Sequence, residues 1–175
     1  MTQELKVPFL AVPQIEHRAT DLLARVAEWS GKPLRPPIDV DQIIEGYLQL
    51  ELAFTDLYDM LGLPNVLGAT FLKDRRIFIE ESLELGGHEG RIAFTMAHEV
   101  GHWELHRPLI EAREACAPLF STKDLPEQPA IVCRSDDGKR PPVEVQADMF
   151  AAHLLMPAAD VRAVVHARYG LTLPH

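Results

Sequence analysis

The run Ala93–His106, AFTMAHEVGHWELH, sets His98, Glu99 and His102 in the middle of an otherwise apolar stretch. On an α-helix, residues four apart lie about 40° round and about 6 Å along the axis, so His98 and His102 can turn to one point. Zinc takes imidazole nitrogens at about 2.0–2.1 Å, and two such ligands one turn apart suit a tetrahedral ion. Glu99 lies about 100° round the helix from His98. Its carboxylate then stands beside the ion, where it can take a proton from water. This is the H-E-x-x-H arrangement with glutamate as general base. The alternative is a surface helix with a solvated histidine pair, and the flanks IAFTMA and V-G-W-L weigh against it. Gly101 costs about 1 kcal/mol relative to Ala inside a helix. That cost is tolerated where another backbone must come close. His88 and His106 lie off the paired positions and read as ordinary surface residues.

A catalytic zinc needs a third protein ligand and one open position. No third histidine follows in the HExxHxxGxxH pattern, because residue 105 is Leu and residue 108 is Pro. The segment EVQADMFAAHLLMP offers Glu144 and Asp148 one turn apart on one helix face. Ala147, Ala151 and Ala152 flank that face and let a second helix approach. Glu144 is expected as the third ligand. Asp148, one turn deeper, is expected to accept the outer N–H of a ligating histidine and so fix its tautomer. The plainer role for Glu144 is a negative charge at a helix N-terminus. His153 is a weaker alternative ligand.

These residues need elements to hold them. Helical spacing places Ile15, Ala19, Leu22, Leu23, Val26 and Trp29 on one face of a helix over Gln14–Trp29, ended by SGKPLRPP. Asp39 or Asp41 can cap a short helix through Tyr47. Strands are expected at Leu48–Phe54, Ala69–Leu72 and Arg75–Glu80, the last two joined at Lys73–Asp74. The metal helix spans about His88–His106 and is expected to stop at Pro108. Residues 108–142 hold six prolines and the turn RSDDGKR, and they read as one long loop with a short helix near Ile110–Cys116. Helices follow over Val143–Met156 and Ala158–Tyr169, the latter closed by Gly170. Helices, then a small sheet, then helices make an α+β fold. The sheet should be three-stranded and mainly antiparallel, in a single domain over 1–175 with the motif core at about 77–157.

The remaining constraints are exclusions. At 175 residues and 47% apolar, the chain can bury a core. A net charge of -9 argues against broad binding of nucleic acid by this chain. No apolar run is long enough for a membrane span and no leader is visible, so a bacterial or archaeal cytoplasm is the expected location. Cys116 and Cys133 fit no disulfide framework or zinc knuckle and are expected to be reduced thiols.

The residues RIAFTMAHEVGH (91–102), CR (133–134) and PVEVQADMFAAHLLMP (142–157) resemble the ImmA/IrrE family of zinc metallopeptidases. The resemblance implies a gluzincin-like site with zinc on His98, His102 and Glu144 and with Glu99 as catalytic base. The spacing of Glu144 and Asp148 also looks like that of thermolysin-type enzymes, in which the aspartate orients a zinc-bound histidine. The better-studied members of that family cleave a helix-turn-helix transcriptional repressor in stress responses and mobile-element induction, so the partner the resemblance implies is a protein of that class. The chain departs from the family in its long loop before Glu144, in Glu80–Glu81 where members often show Asn, and in its short C-terminal end.

The expected reaction is peptide hydrolysis, with the peptide added to an exposed sheet edge such as Arg75–Glu80. His106, Tyr169 and Arg134 are the candidates for stabilising the oxyanion. Two competing readings are a metal-stabilised regulatory module with no catalysis and a zinc hydrolase acting on a non-peptide amide.

Overall fold

A computed structural model describes residues 7–87, 89–115, 131–134 and 140–170, with the backbone alone for 113–115 and 131–134. His88 and Cys116 lie outside the described residues, as do the side chains of Cys133 and Arg134. Helix α1 (Val12–Ser30) opens the fold and buries Ile15, Ala19, Leu22 and Val26. That is the face its periodicity predicts, except that Trp29 stays half exposed and turns its ring edge-on to Tyr47. A π-helical turn (Gln42–Tyr47) follows, and Asp39 caps it by accepting from the Gln42 N–H at 3.1 Å.

Strands β1 (Glu51–Thr55), β2 (Val66–Phe71), β3 (Arg76–Glu80) and β4 (Ile131–Arg134) form one sheet in the order β1-β3-β2-β4. β3 pairs parallel with β1 and antiparallel with β2, and β2 pairs antiparallel with β4. The fold is α+β with a mostly antiparallel sheet, as expected. Three strands are those expected, and the fourth comes from AIVC, a short apolar run inside the segment read as loop. β3 lies between β1 and β2, so Arg75–Glu80 is not an edge to which a peptide could add. Two short helices were not anticipated: α2 (Leu57–Leu61), capped by Asp56, and α3 (Ser82–Leu85). Glu80 serves both. Its carboxylate accepts from the Leu57 N–H at 2.9 Å and from the Ser82 N–H at 3.2 Å. This gives a local reason for an acidic residue at that strand end.

The metal helix is longer than expected. Helix α4 (Glu89–Gly101) runs into a second π-helical turn (His102–His106) and on into α5 (Arg107–Ala115). Pro108 does not stop it. In the wide turn the Arg107 N–H reaches back five residues to the His102 carbonyl. Pro108 therefore falls in the first turn of α5, where a missing N–H and a fixed φ are tolerated. Helices α6 (Pro142–Leu155) and α7 (Ala158–Tyr169) follow, with Gly170 left-handed at the end.

The packing is layered. α6 lies between α1 and α4, and α4 lies between α6 and the sheet. Ile77 and Ile79 of β3 join Ile15, Leu22, Val100, Phe150 and Leu154 in the main core. Each fully buried Ile or Leu side chain contributes about 1.5–3 kcal/mol relative to an exposed one. On the other sheet face, Leu57 of α2 packs with Val66, Ala69, Phe71 and Phe78. The sheet is thus covered on both sides, and α4 sits at the centre of the molecule.

Candidate metal centre

Seven consecutive residues of α4, from Thr95 to Gly101, are buried, and so is His102 after them. The nitrogens His98 Nε2 and His102 Nε2 stand 2.8 Å apart. Glu144, in the first turn of α6, brings Oε2 to 3.2 Å from His98 Nε2 and Oε1 to 3.5 Å from His102 Nε2. Ligands at about 2.0–2.1 Å from a tetrahedral ion stand roughly 3.3 Å from one another. The three donors match that spacing, so His98, His102 and Glu144 can hold one metal ion. Donor atoms of His98, Glu99 and His102 also lie within 4.8 Å of one another. Carboxylates of both Glu144 and Glu99 thus stand near the two histidine nitrogens.

The close passage of α4 and α6 depends on Gly101. A Cβ there would lie 3.2 Å from the Ala147 Cα and carbonyl oxygen and 3.3 Å from the Phe150 Cβ. The glycine therefore marks a close approach of a second backbone, and that approach carries Glu144 to the histidines. Asp148 Oδ1 lies 2.9 Å from His98 Nδ1, where it accepts that nitrogen's proton, and Arg140 pairs with Asp148 Oδ2. Burial alone would raise the Asp148 carboxyl, but the His98 hydrogen bond and the charges of His98 and Arg140 outweigh it and hold it below its ordinary range. His102 goes the other way. Burial, with His98 and His106 beside it, pushes its pKa well below the ordinary histidine value, which favours the neutral imidazole a metal requires.

Glu99 is fully buried. Its Oε2 accepts from the Thr70 hydroxyl at 2.6 Å, and its Oε1 has no hydrogen-bond partner among the described residues. Its pKa is pushed up to about 7, chiefly by burial. His98 and the Thr70 hydrogen bond pull it down in part, and Glu144 adds to the rise. A carboxyl near 7 can hold or release a proton at neutral pH, as a general base must. Gly68 of β2 makes room for it, since a Cβ there would fall 2.4 Å from Glu99 Oε1. The β2–β4 register is irregular between Val66 and Gly68.

Gly68 and Thr70 were missed from the sequence, although an isolated glycine in a strand, as in VLGATF, is a recognised sign of a bulge or a close approach. His106 is a correction. It is not a surface residue but fully buried, with Nδ1 3.0 Å from His102 Nδ1 and Nε2 3.1 Å from Gln146 Oε1. Both ring nitrogens are engaged, so it is poorly placed to meet an oxyanion. Tyr169 is exposed at the end of α7. His153 sits in the last turn of α6, partly buried, whereas Glu144 is in the first.

No curated protein matches the chain. The sequence profile of the peptidase family M78, described as the IrrE N-terminal-like domain, matches residues 58–172, about two-thirds of the chain. That span takes in β2, β3, the whole metal helix and α6, and it supports a metallopeptidase-type function for the buried histidine–glutamate cluster, so the chain belongs to the M78 peptidases.

Proposed function

We propose that the protein is a zinc-dependent endopeptidase that cuts a helix-turn-helix transcriptional repressor, acting in stress response or mobile-element regulation in the cytoplasm. The observation that carries the catalytic part is the pairing of three convergent donors with a fourth group that is not needed to hold a metal. His98, His102 and Glu144 suffice as ligands, while Glu99 is buried beside them with one oxygen unpartnered among the described residues. A site that served structure alone would gain nothing from that carboxylate and would bear the cost of burying it. This weighs against the metal-stabilised regulatory module.

Zinc bound there supplies Lewis acidity, which polarises a peptide carbonyl and makes water a nucleophile near neutral pH. The chain's own residues do the rest. Glu99 Oε1 takes a proton from the attacking water and later delivers it to the leaving amine, so water and peptide become a carboxylic acid and an amine. Thr70 fixes the Glu99 carboxylate through Oε2 and leaves Oε1 for the proton. Asp148 holds His98 in the tautomer that bares Nε2. With β3 enclosed, the edge of β4 that pairs with no other described strand, next to the strand that bears Gly68 and Thr70, is the better place for an extended peptide to add.

The test incubates the full chain with helix-turn-helix repressors encoded near its gene, with and without a chelator, alongside Glu144→Ala. One zinc per chain, lost in Glu144→Ala, and a chelator-sensitive cut in one repressor are expected. Zinc affinity unchanged in Glu144→Ala overturns the third ligand. Zinc bound normally with no repressor cut favours the regulatory module instead.

A further inference from the structure

His106 ends a buried chain of hydrogen bonds that runs from the metal cluster to the start of the fold. His102 Nδ1 faces His106 Nδ1 at 3.0 Å, His106 Nε2 faces Gln146 Oε1 at 3.1 Å, and Gln146 Nε2 reaches the Pro8 carbonyl at 2.8 Å. His102, His106 and Gln146 are all buried. The direction of every bond follows from the last one. A carbonyl oxygen only accepts, so the Gln146 amide must turn its NH₂ to Pro8 and its oxygen to His106. That oxygen also only accepts, so His106 carries its proton on Nε2. Neutral His106 then has a bare Nδ1, which accepts from His102 Nδ1–H. His102 is left with a bare Nε2, the nitrogen that faces His98 and Glu144.

The helix is shaped to make this contact. In a regular α-helix each fourth residue gains about 40°, so a third histidine at i+8 would drift roughly 80° from the first. The turn His102–His106 is π-helical, and its wider winding advances roughly 80° per residue rather than about 100°, which swings His106 back under His102. The two ring centroids are 5.1 Å apart. The paired histidines therefore have unlike supports, a carboxylate behind His98 and a neutral imidazole–amide relay behind His102.

We propose that His106, held by Gln146 and the Pro8 carbonyl, is the positioning residue for His102, locking it in the tautomer that presents Nε2 to the metal. This rests on the reading of His98, His102 and Glu144 as metal ligands. A ligating histidine ordinarily donates to a carboxylate, a carbonyl or water, and loss of such a partner costs 10–100-fold in metal affinity. Here a second histidine takes that part, and its own Nδ1 is kept bare by a relay that ends on the Pro8 backbone carbonyl.

The test uses the full chain with two readouts. In the metal-free protein, long-range ¹H–¹⁵N spectra report the histidine tautomers. His102 is expected protonated on Nδ1 and His106 on Nε2; the reverse pair overturns the proposal even if no variant folds. In competition with a fluorescent zinc chelator, His106→Phe is expected to weaken zinc about 10–100-fold while its metal-free circular dichroism stays unchanged. His106→Asn, whose side-chain oxygen can stand where Nδ1 stood, should recover most of that loss. Wild-type affinity in a folded His106→Phe overturns the role of His106. His98→Ala, run beside it, reads the metal assignment separately: if zinc is unaffected there, the ligand reading itself fails.

Discussion

Glu99 is the residue on which the proposed catalysis and the stability of the fold meet. Its carboxyl is raised from an ordinary 4.5 to about 7, mainly by burial. Between those two values the folded chain holds a proton that the unfolded chain has released, so this group's contribution to stability falls as pH rises from about 4.5 to about 7. Glu99→Gln removes the charge and keeps an oxygen that can accept from Thr70. In metal-free protein at pH 8, Glu99→Gln is expected to be the more stable by about 3 kcal/mol, with the gap closing toward pH 4.5. Urea melts of both proteins at several pH values measure it, and a gap that stays constant with pH would show that Glu99 is not held near 7. The same variant, loaded with zinc, should keep the metal and lose turnover by at least about 100-fold. Loss of zinc instead would make Glu99 a ligand. His98, Glu99 and His102 could be picked out from their spacing along one helix, and Glu144 and Asp148 from their i, i+4 spacing along another. Gly68 and Thr70 could not be read that way, because they reach the site across the sheet, and Gln146 shares no four-residue spacing with Glu144 or Asp148. His106 was legible in principle as the third histidine at four-residue spacing. It was passed over because regular α-helical winding would carry it off the face, and the π-helical turn is not written in any one residue.

At the scale of elements, the site exists because two helices cross at a glycine. Gly101→Ala has two opposed effects. Alanine favours the helix by about 1 kcal/mol, while overpacking a tight contact costs about 1–3 kcal/mol. The atoms in the way include the Ala147 Cα and carbonyl oxygen, which are backbone and cannot rotate aside. The steric term is therefore expected to win, lowering stability by about 1 kcal/mol and moving α6 and Glu144 outward. Thermal melts with and without zinc check it, since the zinc-dependent rise in Tm should shrink. A more stable variant with an undiminished zinc response would show that the helices separate freely. The side of α4 away from α6 is held by the sheet, and the π-helical turn is tied to α1 through Arg25 and Glu104 at 2.5 Å. The main helices were legible from their periodicity, which a long amphipathic element repeats several times. Pro108 misled because a proline in the first turn after a wide turn is allowed, whereas one inside a regular ladder is not. β4 was hidden because four residues carry too little period to stand out among prolines and charges.

At the scale of the molecule, the sheet order decides where a substrate can lie and what the long connection does. Residues 108–142 join the two helices that carry the proposed ligands, yet they are not only a spacer. They send β4 to the edge of β2, the strand whose Gly68 and Thr70 meet Glu99. Two replacements separate the parts. Exchanging 117–129 for a short Gly/Ser linker leaves β4 in place, and closing a shorter loop changes stability little. This variant is expected to keep zinc and its rate on a short model peptide, but to lose selectivity, cutting unfolded proteins that the parent leaves intact. Selectivity tends to lie in loops borne on a rigid scaffold. Exchanging 131–134 for Gly/Ser strips the segment of its strand-forming side chains and so loosens its pairing with β2, and with it the support behind Gly68 and Thr70. Zinc should stay, because none of the proposed ligands is on the sheet, while the rate on the same model peptide falls about tenfold or more. The two constants, zinc affinity and peptide turnover, therefore should part company in the second variant and not in the first. Equal turnover in both would show that β4 is dispensable to Glu99 and that the connection acts only through the reach of its chain.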